Sequence, residues 1–420
     1  MNFFVIRIFS LIFLLLITGC ASLKGLSETT WLEVKSQNFT LVTKSSEYKS
    51  LKIIESLEAF HALFNQFDST KKNTINVKTS IYMFSSQDAA LFNINNGIGG
   101  YFSPKIDHNI VYLKDYSNKN LAINTMLHEY VHYLFSQKQA SVPKWLEEGT
   151  AEFLSAVNVF DDTLTLGNVQ KGRFDNLFQL KWLQPEELLD ATEFDNWTSS
   201  KKSMFYAQSW FMYFYLHNRE RVTGISFSKQ VNKYVRSLAR GESRLTSFEQ
   251  AFDISLKNIN KELKHFSKRG KFLKYKYAKP DLLPHFKPSI RKLTQSEANE
   301  KLAGFALSRN NYEIAEYFLD QETNASSEKP QWLVSKIRSK LAQDKLDQAK
   351  HYIDLLVKRD PRGYQTMLLQ GYHALLLAKT EQEQGKLTTY ITKARGFFTK
   401  AWKLNSTSAE LLDLYGQSYL

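Results

Sequence analysis

The chain has 420 residues, so two or three domains are a more natural organisation than one core. A content of 43% hydrophobic and 23% charged residues is that of a globular protein and excludes a disordered chain. The formal net charge is +13, but the lysines are scattered and no nucleic-acid-binding motif accompanies them, so a nucleic-acid partner is not expected.

The first twenty residues, "MNFFVIRIFSLIFLLLITGC", place Arg7 before an apolar run from Ile8 to Ile17. That run is too short to span a bilayer comfortably and suits a signal-peptide core, with an uncleaved membrane helix as the alternative. It ends in "ITGC", which resembles the lipobox of bacterial lipoproteins, where the cysteine is lipidated and becomes the new N-terminus. Cys20 is the only cysteine, so no internal disulfide can form and stability must come from packed cores. By the same resemblance, Ala21 and Ser22 do not look like an inner-membrane retention signal. Residues 1–20 are therefore expected to be a lipoprotein signal peptide, and the protein an outer-membrane lipoprotein facing the periplasm. The densest basic stretches, "KKNTINVK" and "KHFSKRGKFLKYKYAK", read as solvated faces that also suit a position near anionic lipid or cell-wall polymers.

Alternation at Trp31 to Val34 and Phe39 to Val42 predicts two short strands in a hairpin-like pair. Leu51, Ile54, Leu57, Phe60 and Leu63 share one face of a helix expected over 48–67. Strands are expected at 75–84 and 109–113, separated by the turn-rich "NNGIGGYFSP". That loop reads as a plain glycine-rich hairpin or as an edge strand along which a peptide could lie. From Asn120 the pattern is mostly helical, and strands followed by helices indicate an α+β unit.

In "NTMLHEYVHYLF" (124–135), His128 and His132 are four apart, which puts them on one helical face roughly 5–6 Å apart at Cβ. Two imidazoles so placed reach one metal ion, and Glu129, one step round the helix, faces the same space without ligating. Ile123, Met126, Leu127, Tyr130, Val131 and Leu134 form the apolar side that buries this helix. A catalytic zinc needs a third protein ligand. The extended metzincin pattern would require glycine at 135 and histidine at 138, where the chain has Phe135 and Lys138. Downstream, "VPKWLEEGTAEFLSAV" (142–157) opens with Pro143, well placed for a first helical turn. Glu148 and Glu152 share a face there, while Glu147 is expected to point elsewhere. Gly149 costs this helix about 1 kcal/mol relative to alanine, which marks a close approach by another helix or a site.

"HEYVH" followed by "PKWLEEGTAEF" resembles the gluzincin metallopeptidases, which carry H-E-x-x-H and then W-L-x-E-G-x-A-E. It is most similar to the bacterial peptidase-MA-like family and more distantly to aminopeptidase N. "WLEVKSQNFTLVTKSS", the "GGYFSP" loop and "FYAQSWFMYFYL" extend the resemblance over about residues 30–275. The resemblance implies a zincin-like domain with Zn2+ held by His128, His132 and Glu148, and Glu129 as general base. It also implies Glu152 as the partner that holds a ligand histidine in its tautomer. The implied reaction is hydrolysis of a peptide bond in a protein or peptide substrate through a metal-activated water. Gluzincins often supply a tyrosine from a later helix, which makes Tyr206 in "SMFYAQSWF" the candidate oxyanion donor, although its aromatic neighbours equally fit a core position. Fifteen residues separate His132 from Glu148, a few fewer than in aminopeptidases, so the linking "YLFSQKQASV" must be short.

Beyond the proline-rich "YAKPDLLPHFKPS" (277–289) the chain becomes periodic. Ala303, Ile337 and Gly371 are spaced 34 apart, as are Ala315 and Ala349. These positions resemble the contact sites of tetratricopeptide repeats, the alternative being an irregular helical bundle. Ala349 to Ala394 and Gly371 to Gly416 are both 45, which one insertion of eleven around "AKTEQEQGKLTTY" accounts for. Pro361 sits where such a repeat ends, and "AELLDLYGQSYL" is expected to be a closing helix. The expected layout is a signal peptide at 1–20, a zincin-like peptidase domain at 21–280 and tetratricopeptide-like repeats at 290–420. Two functions follow: a zinc peptidase whose repeats recruit a partner or substrate, or a lipoprotein scaffold whose zincin-like domain is inactive.

Overall fold

A strand such as Ile81-Tyr82-Met83-Phe84 is apolar on both faces, so it is stable only inside a sheet covered on both sides. The computed structural model describes residues 23–67, 78–95, 98–105, 108–115, 119–136, 142–159, 162–269, 272–321 and 329–420. The signal segment with Arg7 and Cys20, and residues 75–77 of the expected third strand, lie outside that set.

In chain order, β1 (Leu32–Lys35) and β2 (Phe39–Thr43) precede helix α1 (Glu47–Phe67). Then come β3 (Thr79–Phe84), α2 (Ser86–Leu91), β4 (Gly100–Pro104), β5 (Asn109–Lys114), α3 (Lys119–Ser136) and α4 (Lys144–Ser155). A small antiparallel sheet follows from β6 (Asn158–Val159), β7 (Thr163–Leu166) and, later, β8 (Tyr275–Ala278). Between β7 and β8 run α5 (Lys171–Gln179), α6 (Pro185–Asp190), α7 (Ser199–Thr223), α8 (Phe227–Ala239), α9 (Arg244–Phe252) and α10 (Leu256–Arg269). After the one-turn α11 (Lys279–Leu282) and β9 (Ser289–Lys292), the rest is helical. The protein is thus a mixed α+β fold with one principal sheet and a helical C-terminal part.

β1 and β2 form the expected antiparallel hairpin, with Val34 opposite Leu41. The principal sheet has the order β4-β5-β3-β2-β1-β9. Its centre is parallel, β2 with β3 and β3 with β5, because α1 carries the chain across one face between β2 and β3. The stretch after the prolines returns to the sheet, where β9 pairs antiparallel with β1. The pleat then separates two cores. Val34, Leu41, Ile81, Met83, Val111 and Leu113 face α1 and α3. Their neighbours Val42, Tyr82, Phe84, Ile110 and Tyr112 face the first two C-terminal helices, α12 (Gln295–Ser308) and α13 (Tyr312–Asp320). Glu33 of β1, 1% exposed, fastens this layer through contacts of 2.9 Å to each of Lys35, Arg291 and Lys301.

The remaining helices are α14 (Pro330–Ala342), α15 (Leu346–Arg359), α16 (Tyr364–Thr380), α17 (Gln384–Leu404) and α18 (Ala409–Gln417). They pair as successive hairpins, α12 with α13, α14 with α15 and α16 with α17, and α18 closes the array. Ala303, Ala315, Ile337, Ala349 and Ala394 are fully buried at the contacts between helices. The insertion lengthens the third hairpin, since α16 has 17 residues and α17 has 21, against 13 and 14 in the second. Gly371 is a close approach, because a Cβ there would lie 2.5 Å from the Phe398 ring. Gly416 is not: it is exposed with nothing within 4 Å, since no helix among the described residues packs on that side of α18. Arg338 of α14 holds α18 through Glu410 at 2.7 and 2.9 Å. No helix among the described residues is long and apolar enough to cross a membrane.

Candidate metal centre

The apolar side expected for α3 is the buried one: Ile123, Met126, Leu127, Tyr130, Val131 and Leu134 are all in the core. Tyr130 is gripped by the rings of Phe39 and Phe102, and its hydroxyl is 2.7 Å from His61 Nδ1 on α1. Burying that side turns His128 and His132 toward α4. Residues Tyr133 to Ser136, expected in the linking loop, instead extend α3, so the connection is shorter than the sequence implied.

Pro143 is the N-cap residue of α4. Trp145, with no exposed surface, packs among Tyr234, Phe248 and Phe252, and Phe153 packs on Tyr213 and Phe214 of α7. Gly149 lets α4 and α7 touch: a Cβ there would lie 2.5 Å from the Ser209 carbonyl oxygen. These contacts fix the rotation of α4 and aim Glu148 back at α3.

Three ligand atoms converge as a result. His128 Nε2 and His132 Nε2 are 3.2 Å apart, and Glu148 Oε2 is 3.5 Å from the first and 3.4 Å from the second. Donors at about 2.0–2.1 Å around a tetrahedral ion are separated from one another by roughly 3.3–3.4 Å. The observed triangle has those dimensions. Glu148 Oε2 is buried and has no hydrogen-bond partner among the described residues, so its lone pairs are directed into the space between the two nitrogens. This group can hold a metal ion, and it is the one cluster of its kind among the described residues.

The electrostatics favour positive charge in that space. Burial by itself raises the Glu148 carboxyl, but the flanking His128 and His132 imidazoles outweigh it and hold its pKa well below the usual range. Burial likewise lowers His132, yet Glu147 and Glu148 together drive its pKa far up. The Glu147 and Glu148 carboxylates, both against His132, give this space a negative field that attracts a cation.

The outer contacts complete the site. His132 Nδ1 lies 2.8 Å from Glu147 Oε1. Glu147 therefore does not point elsewhere, as its place on the helix implied, because α3 crosses α4 and the outer edge of His132 meets that neighbouring face. A carboxylate only accepts, so the Nδ1 proton is directed at Glu147, and an ion that displaced the proton at Nε2 would find a neutral imidazole ligand there. Glu152 Oε1 lies 3.9 Å from His128 Nδ1 and accepts a hydrogen bond from Arg173 of α5. Tyr206 of α7 is half-buried, with the Arg173 guanidinium 4.9 Å above its ring. Burial first, then the Glu148 charge, push its pKa up to about 12, and Glu129 and Glu152 act in the same direction. The charges of these three carboxylates therefore reach the phenol. Tyr206 also keeps aromatic contacts with Phe194 and Phe205, which tie it to the core.

Arg173 and the role of Glu147 escaped the sequence reading. The doubled glutamate in "WLEEG" was a weak signal for the second; nothing local marks Arg173, which reaches Glu152 because α5 packs on α7, the helix that α4 also packs on. A family model described as a protein of unknown function, DUF1570, matches residues 122–235. No curated protein matches the chain. The gluzincin resemblance therefore rests on the motifs themselves, and the matched region, which contains His128, His132, Glu148 and Tyr206, is similar to a family without an assigned activity.

Proposed function

We propose that the protein is a zinc metallopeptidase of the gluzincin kind, anchored to the cell envelope through Cys20, whose C-terminal hairpins bind a partner or the substrate. The observation that carries this reading is the triangle of His128 Nε2, His132 Nε2 and Glu148 Oε2 at separations of 3.2 to 3.5 Å, with Glu129 adjacent on the same helix. Bound there, Zn2+ would supply Lewis acidity toward water and a peptide carbonyl.

The chain's own groups have distinct tasks. His128, His132 and Glu148 would hold the ion, and the carboxylates of Glu147 and Glu152 would keep the imidazoles oriented. Glu129, half-buried and next to His128 on the same helix, would accept the proton of the attacking water and return it to the leaving amine. The Tyr206 phenol, neutral at physiological pH as any tyrosine is, would donate a hydrogen bond to the carbonyl oxygen as charge develops on it. β4 supports a peptide ligand: it is an edge strand, and its Phe102 packs on Tyr130 and Tyr133 of α3. An extended chain added to that edge would run beside the HExxH helix.

The test is to purify the mature protein, measure bound metal and compare peptide-library digestion, muropeptides included, by the parent and Glu129→Gln. Stoichiometric zinc in both, with cleavage by the parent alone, is the expected result. Zinc with identical product profiles would leave the scaffold reading in its place.

A further inference from the structure

We propose that Arg173 is a positioning residue: it fixes Glu152 against His128 and holds the ring of Tyr206, and so sets both the metal affinity of the ligand set and the aim of the phenol. The proposal rests on the metal-site reading above and concerns a residue that no motif includes.

The two ligand histidines are held differently. His132 has Glu147, whose side chain is 31% exposed and makes no ion pair with a lysine or arginine among the described residues. His128 has Glu152, whose side chain is 4% exposed and 3.9 Å from Nδ1. An exposed carboxylate is stabilised by water, whereas a buried one needs a countercharge in contact with it. Arg173 supplies that countercharge through Nη2 to Oε1, the same oxygen that faces His128.

Arg173 is itself held in place by its neighbours. Gln170, at the start of α5, donates Nε2 to the Glu152 main-chain oxygen at 2.5 Å, which pins α5 to the end of α4. Phe174 is inserted against Phe211 and Phe272, which sets the rotation of α5. Asp175, the nearest acid on this helix, is occupied by Lys171 at 2.6 Å and does not compete for the guanidinium. The guanidinium carbon then lies over the Tyr206 ring, 4.9 Å from its centre. A guanidinium can bond a carboxylate at its edge and cover a ring with its face at the same time, whereas an ammonium is a single point charge that, drawn to the carboxylate, leaves the ring.

That difference separates the two tasks. On the full mature chain, zinc affinity is measured by chelator competition for the parent, Arg173→Met, Arg173→Lys, Glu152→Gln and the Arg173→Met/Glu152→Gln pair. Arg173→Met should weaken zinc binding about 10–100-fold, the range for loss of a group that orients a metal ligand. Arg173→Lys should stay within about threefold of the parent in affinity yet lose peptidase kcat, because the ring is no longer covered. In the Glu152→Gln background, Arg173→Met should cause little further loss. The proposal is overturned if Arg173→Met binds zinc like the parent, or weakens it equally with and without Glu152, which would mark a general packing role. Should Arg173→Met fail to fold, Arg173→Lys decides: unchanged affinity with reduced kcat supports the proposal, and parental values for both overturn it. A parent that binds no zinc would overturn the metal reading and this proposal together, a result distinct from a zinc-loaded parent with an indifferent Arg173.

Discussion

Gly149→Ala probes the contact on which the orientation of Glu148 depends. The new Cβ would sit 2.5 Å from the Ser209 carbonyl oxygen, 3.1 Å from its carbon and 3.1 Å from Tyr213 Cβ. The nearest two are backbone atoms of α7 and the third is a Cβ, so no rotamer change relieves the overlap. To reach the 3.4 Å at which ordinary contact begins, α4 and α7 must separate by about 0.9 Å. Overpacking of this kind costs about 1–3 kcal/mol. Alanine recovers about 1 kcal/mol of helix propensity against glycine. Because the overlap is with backbone, the clash should win, for a net loss of up to about 2 kcal/mol. Urea unfolding followed by tryptophan fluorescence reads this region directly, because Trp145 lies on α4 and Trp210 on α7. The same displacement shifts Glu148, the residue before Gly149, so zinc affinity should fall with stability. A Gly149→Ala protein as stable as the parent, with unchanged zinc affinity, would refute the close approach as the reason for this glycine.

Gly304→Ala, within α12 and with nothing within 4 Å of its Cβ position, should have the opposite sign and stabilise by up to about 1 kcal/mol in the same urea assay; a loss would mean that α12 is packed more tightly than the structure shows. Burial alone would raise the Glu33 carboxyl, but Lys35 and Lys301 hold its folded-state pKa down to about 2, below the ordinary 4.5. Its contribution is therefore fully present above about pH 4.5 and is lost as pH falls through about 2, so the parent should lose stability faster than Glu33→Gln across that window. Parallel stability curves for the two proteins would rule this out. Tyr206→Phe should leave zinc affinity intact and lower kcat about 10²–10³-fold, as removal of an oxyanion donor does. Full activity would assign Tyr206 to the core alone.

How much of the site could be read from the sequence follows from which geometry is local. The spacing of His128 and His132 concerns one helix, whose 3.6-residue turn makes them neighbours whatever the rest of the chain does. The same holds for the apolar side of α3, the alternation of β1 and β2, and the glycine that costs α4 propensity. The 34-residue period was legible because each repeat sees the same neighbours, so equivalent positions meet equivalent restraints. Gly416 broke that rule because a Cβ there meets nothing within 4 Å among the described residues, so no close approach restrains it.

What stayed hidden is set by how distant elements cross. Whether Glu147 or Glu152 meets a given histidine depends on the angle between α3 and α4, which Trp145 and Gly149 fix through α7, α8 and α9 and which no spacing encodes. Arg173 reaches Glu152 because α5 and α4 both pack on α7, and β9 joins β1 from more than two hundred residues away. Composition and periodicity by themselves determined which residues a helix or strand brings to one face. Only the tertiary structure decided which faces meet, because those contacts are chosen by packing across the whole core and not by the geometry of any single element.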